Sequence, residues 1–405
     1  MTNTFMNPNL DLLHAYPFEK LAKLKNGITP PDKLDHIALS IGEPKHTPPP
    51  FVLDQLQSKI ALVGKYAATS GLAEFRMTVA NWAKERFNLA ENTLTAEKHI
   101  LPVNGTREAL FAIAQACIDN TAGKKPVVLM PNPFYQIYEG AALLAGAKAE
   151  FINCDTENLH PDFSSVAEET WKNCQLLYLC SPGNPTGAVL ELKDYEYLLE
   201  LSDKYGFIIA SDECYSELYF DENQPPLGLL QACAELGRHN FKSCVVFHSL
   251  SKRSNLPGLR SGFVAGDANI IEKFYQYRTY HGCAMSLPIQ YASIAAWSNE
   301  LHVKQNREFY REKFDTVIDI LQPHIEINKP EAGFYLWLKT PGSDVEFARE
   351  LYAQQNITVL PGSFLARDTP AGNPGKNRVR IALVASVDEC REAAERIKTF
   401  LQNNR

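Results

Sequence analysis

Lys252 closes the string Ser249-Leu250-Ser251-Lys252, directly after an apolar run from Cys244 to Phe247. Taken alone, a lysine in such a string is ordinarily a solvated surface side chain. This one follows a strand-like segment, and a parallel sheet gathers its ligands beyond the carboxyl ends of its strands. An amine held there is partly desolvated, which lowers its pKa and frees it for Schiff-base chemistry. Eight residues later, in Pro257-Gly258-Leu259-Arg260, Arg260 offers a planar fork of donors that suits a phosphate.

Three more strings carry candidate chemistry. Asn104-Gly105-Thr106 lies between a strand and a helix. Backbone N–H groups at a helix N-terminus favour an anion, and glycine lets it approach closely; the same string is also an ordinary capped β–α turn. In Ser181-Pro182-Gly183-Asn184-Pro185-Thr186-Gly187 two prolines stiffen the loop, which suits Asn184 to a single ligand atom. Asp212 follows the run Phe207 to Ala210 and precedes Glu213 and Tyr215. A buried carboxylate at a strand end wants a cation, and a protonated pyridine nitrogen would serve; a capping or salt-bridged aspartate is the simpler alternative.

The elements that must position these groups alternate. Between Lys98 and Gly266, strand-like runs at 99–103, 126–130, 175–180, 207–210, 244–247 and 262–265 are separated by helical patterns, including Phe134 to Gly146 and the stripe Tyr195, Leu198, Leu199. The expected fold class is α/β, a large domain with a mostly parallel sheet joined to a smaller α+β domain. After Ala284 the texture changes to long amphipathic helices (290–321), strand-like runs at 334–338 and 378–384, and a last helix opened by Ser386 and Glu389. The expected division is 48–290 for the large domain and 1–47 plus 291–405 for the small one.

Composition narrows the function. A chain of 405 residues suits two domains, and 40 basic against 47 acidic residues give a net charge of -7, which disfavours a general nucleic-acid or membrane-surface binder. Nine scattered cysteines without a C-x-x-C pair argue for reduced thiols and against a zinc ribbon, so no metal is expected. Met1 to Tyr16 lacks a basic-then-apolar signal pattern, no apolar run reaches membrane-span length, and a cytoplasmic location is expected. No G-x-G-x-x-G follows any of the strands, which counts against a nicotinamide dehydrogenase.

Jointly and in this order, from Ser40-Ile41-Gly42-Glu43-Pro44 to Val379-Arg380-Ile381, these strings resemble the fold-type I, class I/II aminotransferases that use pyridoxal 5'-phosphate. The resemblance implies that Lys252 binds the cofactor as a Schiff base and, once released by substrate, moves the proton between Cα and the cofactor. Asp212 would pair with the pyridine nitrogen, Asn184 and Tyr215 would hold the phenolic oxygen, and Tyr135 would stack on the ring. The phosphate would take the amides of Gly105 and Thr106, the hydroxyls of Ser249 and Ser251, and Arg260. Tyr66, with Gly71 five residues on, fits a tyrosine that reaches the neighbouring subunit's phosphate, which implies a homodimer with shared sites. Arg380 would clasp the substrate's α-carboxylate under Gly42, with Tyr135 and Asn184 beside it.

The strings around Gly42 and Lys252 are most similar to succinyldiaminopimelate aminotransferases of lysine biosynthesis, with glutamate as the expected donor. Lys45, His46, Arg278 and His281 are the candidates for the distal, anionic end of that substrate. The competing readings are an aspartate- or acetylornithine-type aminotransferase, a carbon–sulfur β-lyase with the same cofactor cup, and a non-catalytic sensor, which would need an added DNA-binding domain.

Overall fold

Runs of β-branched and aromatic residues build one dominant sheet. The computed structural model describes residues 6–121 and 123–404, so residues 1–5, 122 and 405 of the expected domains, and the start of the expected leaderless N-terminus, lie outside the described residues. In chain order the strands are β1 (Ile37–Ala38), β2 (Ile100–Val103), β3 (Val127–Asn132), β4 (Lys148–Asn153), β5 (Cys174–Cys180), β6 (Ile208–Asp212), β7 (Cys244–Ser249), β8 (Gly262–Gly266), β9 (Tyr335–Lys339), β10 (Ile357–Thr358), β11 (Leu360–Pro361) and β12 (Arg378–Ala382).

Seven of them form a sheet in the order β2-β8-β7-β6-β5-β3-β4. From β7 to β4 every pairing is parallel, while β8 runs antiparallel to both β7 and β2. Both faces are covered by helices. Leu177, Ile209, Val246 and Phe263 pack into one core with Trp82, Leu198 and Trp297, and Tyr178, Ala210, Val245 and Phe247 pack into a second with Ile113 and Tyr138. Burial on both faces is why these strands read as continuous apolar runs rather than alternating ones. The fold is thus the α/β class with a large, mostly parallel sheet.

The edge strand β4 escapes the sequence reading because Lys148 and Glu150 interrupt it. Charges on an edge strand block pairing with another chain and also dilute the apolar signal.

A second, antiparallel sheet has the order β11-β12-β9, and β1 pairs in parallel with β10. Ile37 and Leu39 share a core with Phe314, Leu336, Ile381 and the inward face of the last helix, Val387–Asn403. The helix Leu287–Trp297 instead buries Ala292, Ala296 and Trp297 against the large sheet. Among the described residues, no helix is long and apolar enough to cross a membrane.

The register sets up the site. Cys180, Asp212 and Phe247 lie side by side on β5, β6 and β7, and two residues further along β7 Ser249, Gly262 and Val103 extend this row of strand ends across β7, β8 and β2. Every loop leaving this row begins at one edge of the sheet.

Candidate active site

The row opens into a cavity of about 460 Å³. Eleven residues singled out from the sequence line it: Gly42, Thr106, Tyr135, Asn184, Asp212, Tyr215, Ser249, Ser251, Lys252, Arg260 and Arg380. They arrive from the ends of β2, β3, β5, β6 and β7, the turn before β8, the loop after β1 and the middle of β12, so sequence distances of several hundred residues close here.

Lys252 sits in a single helical turn, Leu250–Arg253, capped by Ser249, whose hydroxyl accepts the Ser251 N–H at 3.1 Å. The turn is held from behind. Asn306 donates to the carbonyls of Lys252 and Arg253 at 3.1 and 3.3 Å, and the buried Arg253 donates to Ala296 at 3.0 Å. The Lys252 amine donates to the Gly42 carbonyl and lies 5.3 Å from the centre of the Phe334 ring. Burial, helped by the nearby cations Arg380 and Arg260, brings its pKa down to about 8. A larger share of the amine is therefore neutral near physiological pH than the ordinary lysine value of 10.5 would leave, as a nucleophile requires.

Asp212 is buried at the end of β6. Its Oδ2 accepts the Tyr138 hydroxyl at 2.7 Å and its Oδ1 the Cys214 N–H at 3.3 Å. Burial raises its pKa, and these donors oppose the rise. No arginine or lysine among the described residues forms an ion pair with it, so a bound cation would find an unneutralised carboxylate.

Gly105 and Arg260 form one device. Gly105 has φ +81°, and a Cβ there would overlap the Arg260 guanidinium, whose Cζ lies 2.7 Å from that position. Arg260 itself is left-handed at φ 53° and donates to Pro257 O at 3.0 Å. The Gly105 N–H, expected at the phosphate, is turned onto Val103 O at 2.8 Å. Glycine contributes the space, and the free amides begin at Thr106, the first residue of the helix Thr106–Cys117. Ser249 and Ser251 add hydroxyls 3.0 Å apart. The set suits a dianionic phosphate.

Arg380 is buried above Asn184. It donates to Asn184 Oδ1 at 3.0 Å and to Ser40 O at 2.7 Å, and its guanidinium lies 4.4 Å from the centre of the Tyr335 ring. Its Nε is buried and has no partner among the described residues. The Tyr335 hydroxyl meets that of Tyr215 at 3.1 Å and stands where any Gly42 side chain would go. A planar carboxylate against Arg380 would engage donors that the protein leaves unpaired.

The four distal-end candidates do not line the cavity. Arg278 is buried and donates to both Glu108 oxygens at 2.9 Å and to Cys283 O at 3.1 Å. Glu108 in turn accepts the Asn104 N–H at 2.9 Å. Arg278 therefore braces the Asn104-Gly105-Thr106 turn. Lys45 pairs with Glu389 at 3.5 Å, His46 bonds Asn306 and Lys313, and His281 contacts Cys283. Tyr66 is fully exposed and lies outside this cavity.

The sequence reading missed Tyr16, Phe18, Arg107, Cys214 and Tyr335, all of which line the cavity, and Tyr138 beneath Asp212. Arg107 follows Thr106 directly and Cys214 lies between Asp212 and Tyr215, so these two were within reach of a motif.

Residues 35–397 match the family described as aminotransferase class I and II. A solved aminotransferase from Neisseria meningitidis is 52% identical with TM-score 0.94, covering 98% of this chain and all of that one. The LL-diaminopimelate aminotransferase of Maridesulfovibrio salexigens is 30% identical over 395 residues, 96% of this chain and 97% of its own. A solved probable N-succinyldiaminopimelate aminotransferase from Thermus thermophilus is 25% identical with TM-score 0.81, covering 95% of this chain and 99% of its own.

Proposed function

The chain belongs to the class I and II aminotransferases, and we propose that it moves an amino group between glutamate/2-oxoglutarate and N-succinyl-2-amino-6-ketopimelate, the keto form of N-succinyl-LL-2,6-diaminopimelate, in lysine biosynthesis. The family uses pyridoxal phosphate, which when bound supplies an electron sink for the substrate's Cα. The remaining work falls to this chain's residues. Thr106, Ser249, Ser251 and Arg260 would hold the phosphate, and Asp212 would hold the protonated ring nitrogen. Asn184 and Tyr215 would face the phenolic oxygen, and Tyr135 the ring. Arg380 would orient the α-carboxylate, and the Lys252 amine would carry the proton at Cα, assisted by its lowered pKa.

The observation that carries this reading is the meeting of the Lys252 amine, the buried Asp212 carboxylate and the buried Arg380 guanidinium in one cavity. The site as a whole requires a second copy if Tyr66 serves a neighbour's phosphate, and a two-fold dimer is the arrangement proposed.

Two observations support the succinylated substrate. The strings around Gly42 and Lys252 are similar to enzymes of that specificity, and Asp212 is the one carboxylate among the described lining residues. The far end of the succinylated substrate carries two carboxylates and no ammonium, so it needs no second acid. Free LL-diaminopimelate ends in an ammonium beside its carboxylate, and the names of relatives at 30% identity favour it as the second reading.

A coupled assay comparing N-succinyl-LL-2,6-diaminopimelate with LL-diaminopimelate, N-acetylornithine, aspartate and cystathionine tests the assignment. The highest kcat/KM is expected for the succinylated compound. A much larger value for any other overturns the substrate while leaving the aminotransferase in place.

A further inference from the structure

We infer that a second cavity, behind the Lys252 turn, binds a small monocarboxylic acid with an apolar body, its carboxylate on the ammonium of Lys313. This site is separate from the one that takes the amino-group partners.

The sequence keeps this space open. Pro48-Pro49-Pro50 leads into the helix Pro50–Ser58, and with φ fixed at three successive residues the segment resists collapse into the gap beside it. Facing the same gap is the helix Leu301–Leu321, whose Leu301, His302, Asn306, Phe309 and Lys313 share one side at helical spacing. The cavity they enclose measures about 790 Å³, larger than the one that holds Lys252.

Its polar groups say what would fill it. No aspartate or glutamate is among the described lining residues, whereas Lys45, His46, His302 and Lys313 are. Lys45 is engaged by Glu389 at 3.5 Å. Lys313 is 1% exposed, and among the described residues its amine meets only Nε2 of His46 and, at 3.4 Å, the Val384 carbonyl. An ammonium has three N–H groups, so one donor is left over. Burial draws the Lys313 amine down to about 8 and the His46 imidazole down to about 4, the latter helped by the Lys313 charge. Near pH 7 the pair is a buried ammonium beside a neutral imidazole. A buried cation without a counter-ion is costly, and a ligand carboxylate would supply the missing charge.

The walls fix the rest of the ligand. Phe51, Leu301 and Phe309 line the cavity yet stay exposed, so a hydrocarbon body would cover them. A dicarboxylate would press its second charge against the same apolar surface, at a desolvation cost. The cavity also borders the support of the active site. His46 Nδ1 and Asn255 Nδ2 meet Oδ1 of Asn306 at 2.7 and 2.9 Å, and Asn306 holds the carbonyls of Lys252 and Arg253. Only His46 and Asn306 stand between a ligand on Lys313 and the Lys252 turn, so occupancy is felt at the cofactor.

The test uses the holoenzyme with its active site filled by saturating glutarate, and 4-phenylbutyrate as the probe. Calorimetry should find a single further site per chain. Acetate and 4-phenylbutan-1-ol, which each lack half of the probe, should bind roughly tenfold more weakly or worse. Lys313→Met, which trades the buried charge for an apolar side chain, should weaken the probe by roughly 10- to 100-fold. Phe309→Ser, at the exposed rim, should weaken it by about tenfold. No binding beyond glutarate, or an unchanged affinity in Lys313→Met, overturns the proposal. Should Lys313→Met fail to fold, Phe309→Ser and the alcohol decide, and equal affinity for alcohol and acid overturns it. If sedimentation shows that the probe or Phe309→Ser takes the holoenzyme apart into single chains, the cavity face belongs to a second copy and the ligand site falls. Saturating probe should also move the visible absorption band of the wild type, and an unmoved band overturns the link to Lys252.

Discussion

The Tyr138 hydroxyl reaches Oδ2 of Asp212 at 2.7 Å from beneath the cavity. Tyr138 is wholly buried and stacks on Tyr178, with ring centres 4.6 Å apart and planes 11° from parallel, and Tyr178 is itself tied to Leu110 O at 2.6 Å. The acid is thereby aimed by an aromatic pair in the core. Removing the donor leaves a buried carboxylate with less support for its charge, so its pKa rises further. Tyr138→Phe is expected to lower kcat by roughly 10- to 100-fold, the worth of one hydrogen bond to a charged group. Asp212→Asn, which removes the charge itself, should cost roughly 10²- to 10³-fold. Steady-state kinetics of both checks the order; an equal loss in the two variants would show that Tyr138 acts other than through Asp212.

Lys252 should be the point of covalent attachment. Borohydride treatment of the yellow holoenzyme should fix the cofactor's mass on the peptide that contains Lys252, as read by mass spectrometry. Lys252→Ala should retain cofactor through the remaining contacts and lose roughly 10²- to 10⁴-fold in turnover, the range for removal of a positioned proton carrier. A label on another lysine would remove Lys252 from its role.

The lowered pKa of Lys252 makes a pH signature. Below about 8 the amine is protonated and cannot attack; above it the amine is free. The rate of cofactor capture by the apoprotein should therefore climb with pH to a plateau, with its midpoint near 8. A stopped-flow series across pH measures it. A midpoint near 10.5, the ordinary lysine value, would mean that burial does not act on this amine in solution.

Gly105→Ala tests the phosphate cup. The new Cβ is strained at φ +81° and overlaps the Arg260 guanidinium. The variant should lose stability by about 1–3 kcal/mol, measurable in denaturant, and should retain cofactor at least tenfold less tightly as Arg260 is displaced. Retention equal to wild type would show that Arg260 does not bind the phosphate.

Tyr66 is fully exposed and does not line its own cavity. If it completes a neighbour's phosphate site, Tyr66→Phe should weaken cofactor retention by roughly tenfold while sedimentation still reports a dimer. A fully active monomer would end the shared-site proposal.

The sequence by itself determined the alternation of apolar strands and amphipathic helices, and with it the places where loops leave a sheet. That much is local, because burial on both faces writes itself into runs such as Cys244 to Phe247, and strand ends carry their loops wherever the chain goes. Lys252, Asp212 and Asn184 were legible for that reason, and Arg380 and Gly42 were legible through the order of strings they share with the family. Only the tertiary structure decided what each polar group would meet. Arg278 and Arg107 are both arginines near the same turn; one is sealed against Glu108 and the other opens to the cavity, and no periodicity separates them. Tyr138 reads from sequence as one more apolar helix residue, and its bond to Asp212 joins the helix Gln136–Leu144 to the end of β6, between residues 74 apart in the chain. The Gly105 amide was expected at a phosphate and is consumed by Val103 in its own turn. Elements follow from the pattern of burial along the chain, but hydrogen-bond partners follow from register and packing between distant segments, where one donor can be satisfied in several ways and the folded backbone selects one.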